Sequence, residues 1–207
     1  SRPEGEGREV ARRCRLPSGR PGPPERLLAC RHLSRWPNAL PVDARDRALF
    51  LRFTMGPTRS DPTRAVWTLI THAGGVACSI AAAVIPLFGG GALATAARQA
   101  LISLVASHLI VQLVKRTVSR PRPSRGTDCV TLVAEPDKFS FPSGHSAAAM
   151  SVALAYAMAY PVFALPFLFV ALLVGASRVF LGVHYPGDVL IGQLIAVLTG
   201  FAVRAAA

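Results

Sequence analysis

Long uncharged apolar stretches, separated by short polar ones, fill the C-terminal two-thirds of the chain. No Lys, Arg, Asp or Glu occurs from Ala65 to Phe88, a run long enough to cross roughly 30 Å of hydrocarbon as a helix. A glycine turn, Gly89–Gly91, follows. Ala92–Val114 forms a second run whose only charge, Arg98, is near enough to its end to snorkel. Residues 115–145 are rich in Pro, Arg and Ser and predict a loop outside the apolar layer. Ser146–Ser177 is again uncharged but too long for one helix, and Pro161 and Pro166 predict its division into two. After a short loop, Arg178–Pro186, a last helix is expected over Asp188–Val203, with Pro186 and Gly187 just before it. The expected fold is all-α, a multi-pass transmembrane helical bundle of about five spanning helices.

The upstream region differs. Residues 1–42 mix arginine with Gly and Pro and predict a basic, largely disordered arm rather than a secretory signal peptide. Residues 43–64 hold a candidate interfacial helix, centred on 43–56, where Arg alternates with Leu and Phe. Residues 65–207 then form the membrane-embedded domain. Composition agrees: 51% of the 207 residues are hydrophobic and only 16% charged. The net charge of +12 lies mostly outside the apolar runs. It therefore favours anionic lipid head groups and phosphates over nucleic acid as partners. Cys14, Cys30, Cys78 and Cys129 include no C-x-x-C pair, so neither a disulfide framework nor a zinc site is expected. His72 and His108, inside the first two runs, are expected to hydrogen-bond between helices, with a substrate or proton path as the other reading.

Five spans return the chain to its starting side after helices two and four. The loops at 115–145 and 178–188 then share one membrane face with the N-terminal arm. That face carries the candidate chemistry: Lys115 with Arg122 and Pro123, then Pro142, Ser143, Gly144 and His145, then Ser177, Arg178, His184 and Asp188. Phosphoryl transfer requires fixed cations and N–H donors around three charged oxygens. Lys115, Arg122 and Arg178 supply cations, and arginine offers a planar fork suited to phosphate. Gly144 permits close backbone approach at a helix start, where free N–H groups attract an anion. His184 can act as a nucleophile if its other nitrogen is held by Asp188, four residues on, and His145 is available as general acid.

Taken singly, each segment has an ordinary reading. Lys115 and Arg122 could be interfacial anchors, P-S-G-H a helix start, and His184–Asp188 a local turn contact. Together, eleven specified residues in order on one predicted face, each with a frequency of roughly 5%, make coincidence negligible.

The three segments resemble the signature of the type 2 phosphatidic acid phosphatase superfamily: K-x6-R-P, then P-S-G-H, then S-R-x5-H-x3-D. Every signature position is matched over residues 115–188. The resemblance implies a compact helical membrane phosphatase needing no metal or other cofactor. It implies His184 as the nucleophile that becomes phosphohistidine, Asp188 as its orienting partner and His145 as general acid. Lys115, Arg122, Ser143, Gly144 and Arg178 would hold the phosphoryl group.

Fourteen arginines precede Ala65, and seven more basic residues lie in the two loops, against only Arg98 and Arg204 on the other side. The positive-inside rule then places the active face in the cytoplasm, in a plasma (inner) membrane. The expected substrate is a lipid phosphate or diphosphate whose tail stays in the bilayer. Polyprenyl phosphates and diphosphates are favoured over phosphatidic acid and phosphatidylglycerol phosphate. Membrane lipids are the expected surroundings, and homo-oligomerisation is left open. Two other classes compete. A vanadium haloperoxidase shares the signature but is soluble. A non-catalytic membrane protein or transporter could keep the fold, though its site would be expected to lose signature residues.

Overall fold

The computed structural model describes residues 41–55, 61–126, 131–133 and 137–207, all within the compact unit Leu33–Ala207. The expected N-terminal arm lies outside the described residues, except for its last two positions. Eight α-helices are described. They are α1 (Pro41–Phe53), α2 (Asp61–Ala73), α3 (Val76–Val84), α4 (Gly91–Val118), α5 (Pro123–Gly126), α6 (Gly144–Ala159), α7 (Ala164–Phe180) and α8 (Pro186–Ala205). Short 3-10 turns, Ile85–Gly89 and Pro161–Phe163, join α3 to α4 and α6 to α7. The described residues contain no named strand, only an isolated bridge between Pro121 and Phe139. The all-α architecture is as expected.

The order of the apolar runs is retained, but their lengths are not uniform. Three helical segments are long and apolar enough to cross a membrane: Gly91–Val118, Pro161–Phe180 and Pro186–Ala205. The first run is broken at Gly74–Gly75, and its halves bend by 45°; it makes a fourth crossing if the pair is one span. The remaining run, α6, has 16 residues and rises roughly 24 Å, short of the ~30 Å hydrocarbon core. By length and composition, three helices, or four counting the bent pair, qualify as spans, while α6 carries the chain from the end of α4 to the start of α7.

Proline position explains the break between α6 and α7. Pro161 ends the first helix, whereas Pro166 sits in the first turn of α7, where its missing N–H costs no hydrogen bond. Gly90 and Gly91 adopt positive φ, 71° and 51°, as the glycine turn requires. α4 runs one turn beyond Val114, so Lys115 and Arg116 occupy its last turn, where cations favour the helix dipole. Ser119 caps it in the left-handed region, φ 49°. The chain thus turns sharply, carrying Arg120 and Arg122 back across the bundle end.

α6 is the central helix and packs against α4, α7 and α8. Its buried alanines, Ala147, Ala149, Ala153, Ala155 and Ala157, let its neighbours approach closely. The interior also holds polar contacts, including Ser107 Oγ to Ser151 Oγ at 2.8 Å and Gln193 Nε2 donating to Ala171 O at 3.2 Å. Large apolar side chains such as Leu69, Leu109, Leu113, Leu165, Leu198 and Phe201 point outward. That distribution suits a lipid surround, in which apolar exposure carries no penalty.

His72 and His108 depart from expectation. Both are exposed on the outer surface, and His108 Nε2 meets Gln112 Nε2 of its own helix at 3.2 Å. Helical phase explains it. The inward stripe of α4 runs through Ala96, Ala100, Ser103, Ser107, Val111 and Lys115, and His108, one residue after Ser107, is rotated about 100° from that side chain. α1 falls in the stretch expected to form an interfacial helix. It packs against α7 and α8, with Phe50 and Asp46 buried.

Backbone meets backbone where α8 crosses the start of α6. A Cβ on Gly192 would lie 2.5 Å from Ser143 O. Gly192→Ala should therefore force the loop and helix apart, costing about 1–3 kcal/mol and lowering the detergent melting temperature by roughly 2–10 °C. Leu198→Ala, on the outer surface, serves as the control with little change. Equal melting of Gly192→Ala and wild type would show that this contact does not constrain the bundle.

Candidate active site

The end of the bundle that carries α1 gathers Lys115, Arg122, Ser143, Gly144, His145, Arg178, His184 and Asp188. α4 ends in Lys115, which is nearly buried. The Ser119 turn brings in Arg122, 0% exposed. A neck formed by the Pro121–Phe139 bridge and by Ser140 N–H donating to Arg120 O at 2.9 Å closes the intervening loop. That closure delivers Asp137 to the two cations. Its Oδ2 pairs with Lys115 Nζ, and its Oδ1 accepts from Arg122 Nη2 at 2.6 Å. Burial opposes the charge on Asp137, but the hydrogen bonds and charges of Lys115 and Arg122 outweigh it and hold the carboxyl below its usual range.

Ser143 is the N-cap of α6. Its hydroxyl accepts the Ser146 N–H at 3.4 Å and pairs with Ser146 Oγ at 2.9 Å. Its own N–H donates to Asp188 O at 2.9 Å. The expected phosphate-binding hydroxyl is thus engaged in capping, which aims the first amides of α6 at the cluster. Those of Gly144 and His145 precede the helix's own ladder. A Cβ on Gly144 would meet only Val111 Cγ1, at 4.0 Å, so the space beside its amide is open. Burial, and then the charges of Arg178, His184, Lys115 and Arg122, push the pKa of the half-buried His145 imidazole down to about 3, so the ring is neutral while the site is empty.

Arg178 ends α7. Its Nη1 donates to Thr71 Oγ1 of α2 at 2.8 Å, while its Nε and Nη2 are buried with no acceptor among the described residues. Two unmet donors of one guanidinium form a fork suited to an anion. Its neighbour Ser177 spends its hydroxyl on Val174 O at 2.6 Å. The turn after α7 is fixed by Val183 N–H and His184 N–H, both donating to Arg178 O, at 3.1 and 3.2 Å.

His184 is fully enclosed. Its Nε2 lies 3.4 Å from Arg122 Nη1, and its Nδ1 lies 3.5 Å from Asp188 Oδ2. The second contact is long, of a kind that tightens as charge builds on the ring. Burial pushes the imidazole pKa down to about 4, against the pull of Asp188, so the ring is neutral at physiological pH. Asp188, 0% exposed, accepts Tyr185 N–H on Oδ2 at 2.9 Å and Arg120 Nη1 on Oδ1 at 2.6 Å. The assembly can surround an anion with cations and amides while presenting it an unprotonated imidazole nitrogen. Among the described residues no cluster of three or more His, Cys, Asp or Glu side chains could hold a metal ion.

Comparison with known proteins agrees with this geometry. The family model of the PAP2 superfamily matches residues 96–207. The chain belongs to the PAP2 superfamily. Relatives within it include the undecaprenyl-diphosphatase BcrC of Bacillus subtilis, 30% identical over 66% of this chain and 71% of that protein. The decaprenylphosphoryl-5-phosphoribose phosphatase of Mycobacterium tuberculosis is 34% identical over 56% of this chain and 66% of the relative. The lipid A 1-phosphatase of Rhizobium etli is 35% identical, but the match spans only 41% of its length. Among solved structures, the PAP2-type phosphatidylglycerolphosphate phosphatase of Bacillus subtilis superposes with a TM-score of 0.64, at 26% identity, covering 87% of this chain and 91% of that one. Aquifex aeolicus LpxE shares the fold, with a TM-score of 0.67 at 23% identity over 77% of this chain and 94% of that one.

Four site residues escaped the sequence reading of this PAP2 chain: Asp46, Thr71, Arg120 and Asp137. Thr71 and Asp46 lie far from the motifs. Arg120 sits within a motif's variable stretch, two residues before Arg122. Asp137 carried a usable signal, being an acid in a loop otherwise dominated by cations.

An anion that engages Lys115 and Arg122 must displace the Asp137 carboxylate. Asp137→Asn should therefore tighten orthovanadate inhibition of solubilised protein several-fold, read from the inhibition constant. Weaker inhibition would mean that Asp137 organises the two cations rather than competing for them.

Proposed function

We propose that this chain is a metal-independent phosphatase of a lipid phosphate or diphosphate, working through a phosphohistidine at His184. One observation carries the reading: His184 presents a neutral Nε2 to the cation cluster while its Nδ1 faces a buried carboxylate. In the first step Nε2 attacks the terminal phosphorus in line and its bond to the leaving oxygen breaks; that oxygen belongs to the lipid alcohol in a monophosphate and to the lipid monophosphate in a diphosphate. His145, which takes up a proton as the substrate's negative charge offsets the surrounding cations, gives that proton to the departing oxygen, and Asp188 stabilises the charged ring. Arg178, Lys115, Arg122 and the first amides of α6 hold the equatorial oxygens. In the second step His145 takes a proton from water, which attacks phosphorus and breaks the P–N bond, releasing inorganic phosphate.

An apolar cavity of about 440 Å³ below the site supports a lipid substrate. It is lined by residues including Ala73, Ala149, Tyr156, Phe167 and Val174. Gly74, next to Ala73, packs against Val174 and the backbone of His145, so cavity and site adjoin. Polyprenyl phosphates and diphosphates are the favoured substrates; two relatives that share most of their length with this chain are named for polyprenyl lipids, one for a polyprenyl diphosphate and one for a polyprenyl-linked sugar phosphate. Phosphate release from farnesyl diphosphate, farnesyl phosphate and phosphatidic acid, in detergent with EDTA, tests both class and metal independence. Preference for phosphatidic acid would move the reading to phospholipid precursors.

His184→Ala should abolish turnover, and acid-quenched wild type should carry label on His184 from a phosphate-labelled substrate. His145→Ala should lose roughly 10²–10⁴ in rate on farnesyl phosphate and less on the diphosphate, whose leaving group needs less help from an acid. Near-normal turnover by His184→Ala would refute the mechanism.

The active face lies in the cytoplasm on this reading, supported by the basic residues that surround it. With the native cysteines replaced, a Thr117→Cys probe should resist a membrane-impermeant thiol reagent in intact cells, and an Ala207→Cys probe should react. The opposite pattern would turn the site outward and favour recycling of outer-leaflet substrates.

A further inference from the structure

The catalytic pair proposed above is held from behind by a residue outside every motif. α1 presents Asp46, a carboxylate only 7% exposed, to the start of α8. Its Oδ1 accepts the Gly187 N–H at 2.7 Å, and its Oδ2 pairs with Arg120 Nη1 at 2.9 Å. The same Nη1 is 2.6 Å from Asp188 Oδ1. The Arg120 guanidinium also lies over the Tyr185 ring, 4.3 Å from its centre, and that ring packs edge-on against Phe50 of α1 at 5.3 Å. Gly187 fits this arrangement because a Cβ there would lie 2.8 Å from Asp46 Oδ2. One half-buried arginine is thus shared between two buried carboxylates, and one of these faces His184.

Charge explains why the sharing matters. Asp188 must keep enough negative charge on Oδ2 to hold the His184 N–H and steady the ring as it becomes cationic. An arginine bound to Asp188 alone would draw the carboxylate and its charge toward Oδ1. Asp46 takes part of that arginine's charge and fixes its position at the same time. Among the described residues, the contacts of Asp46, the Gly187 N–H and Arg120 Nη1, are not among the groups proposed to hold the anion.

We propose that Asp46 is a positioning residue for the Asp188–His184 pair, acting through Arg120, so that α1 is a working part of the active site. The proposal rests on the phosphohistidine reading. It predicts a loss in kcat with little change in KM, because substrate contacts are untouched.

The test uses the full chain in detergent and the most active substrate of farnesyl diphosphate, farnesyl phosphate and phosphatidic acid. Asp46→Asn should lower kcat about tenfold, the rate equivalent of one charge-assisted hydrogen bond, with KM within about twofold. Arg120→Gln should lower kcat at least as far, and Asp46→Asn should add no further loss in that background. Asp46→Glu, which keeps the charge, should recover part of the rate, and it carries the test if the asparagine variant does not fold. Multiplying losses in the double variant, a change confined to KM, or Asp46→Glu no faster than Asp46→Asn would overturn the proposal. If wild type is active, His184→Ala is inactive and Asp46→Asn matches wild type, only the role of Asp46 falls. If His184→Ala is active, the phosphohistidine reading falls instead.

Discussion

Holding several cations out of water at the end of a lipid-facing bundle is the constraint on which the rest of the structure depends. Lys115, Arg122 and Arg178 are each at most 5% exposed, and a buried charge is stable only when paired or hydrogen-bonded. Their acceptors come from distant parts of the chain: Asp137 from the loop, Val183 O from the second turn and Thr71 from α2. Compensation of charge therefore organises the loop, the turn and the first helices around one point. The fold and the site are one electrostatic problem, and the apolar helices set its boundary.

Much of this was legible in the sequence, for a physical reason. Apolar runs free of formal charge report helices in lipid directly, and the motif residues are close enough together for local turns to join them. His184 and Asp188, four residues apart, needed only a helix start between them. The pairing of acids with those cations was not legible. Arg120 meets Asp188 across 68 positions and Asp46 meets Gly187 across 141, and no local pattern encodes such a distance. Helical phase was a second blind point. His108 sits one residue from Ser107, which is 1% exposed, yet it faces outward. Charge-free length was a third, since it did not show that α6 has only 16 residues.

The division of side chains between inside and outside reverses the pattern of a water-soluble protein. Leucine and phenylalanine lie outside, while alanine, serine and glutamine line the helix contacts. Close backbone approach then supplies van der Waals contact that large side chains would prevent. Polar pairs such as Ser107 with Ser151 fix the register of α4 against α6 where no aqueous hydrophobic effect drives their association.

The contact between Gly192 and Ser143 has a consequence for how this scaffold tolerates change. Ser143 leads into the helix that carries His145, and Gly192 belongs to the helix that carries Asp188. Because main chain rests on main chain there, the spacing between the two halves of the site is a ruler made of peptide bonds. The outer girdle of leucines and phenylalanines takes no part in that measurement. The same frame can therefore be dressed for bilayers of different thickness or fluidity by exchanging its lipid-facing side chains, while the distance between the helices that carry His145 and Asp188 stays fixed.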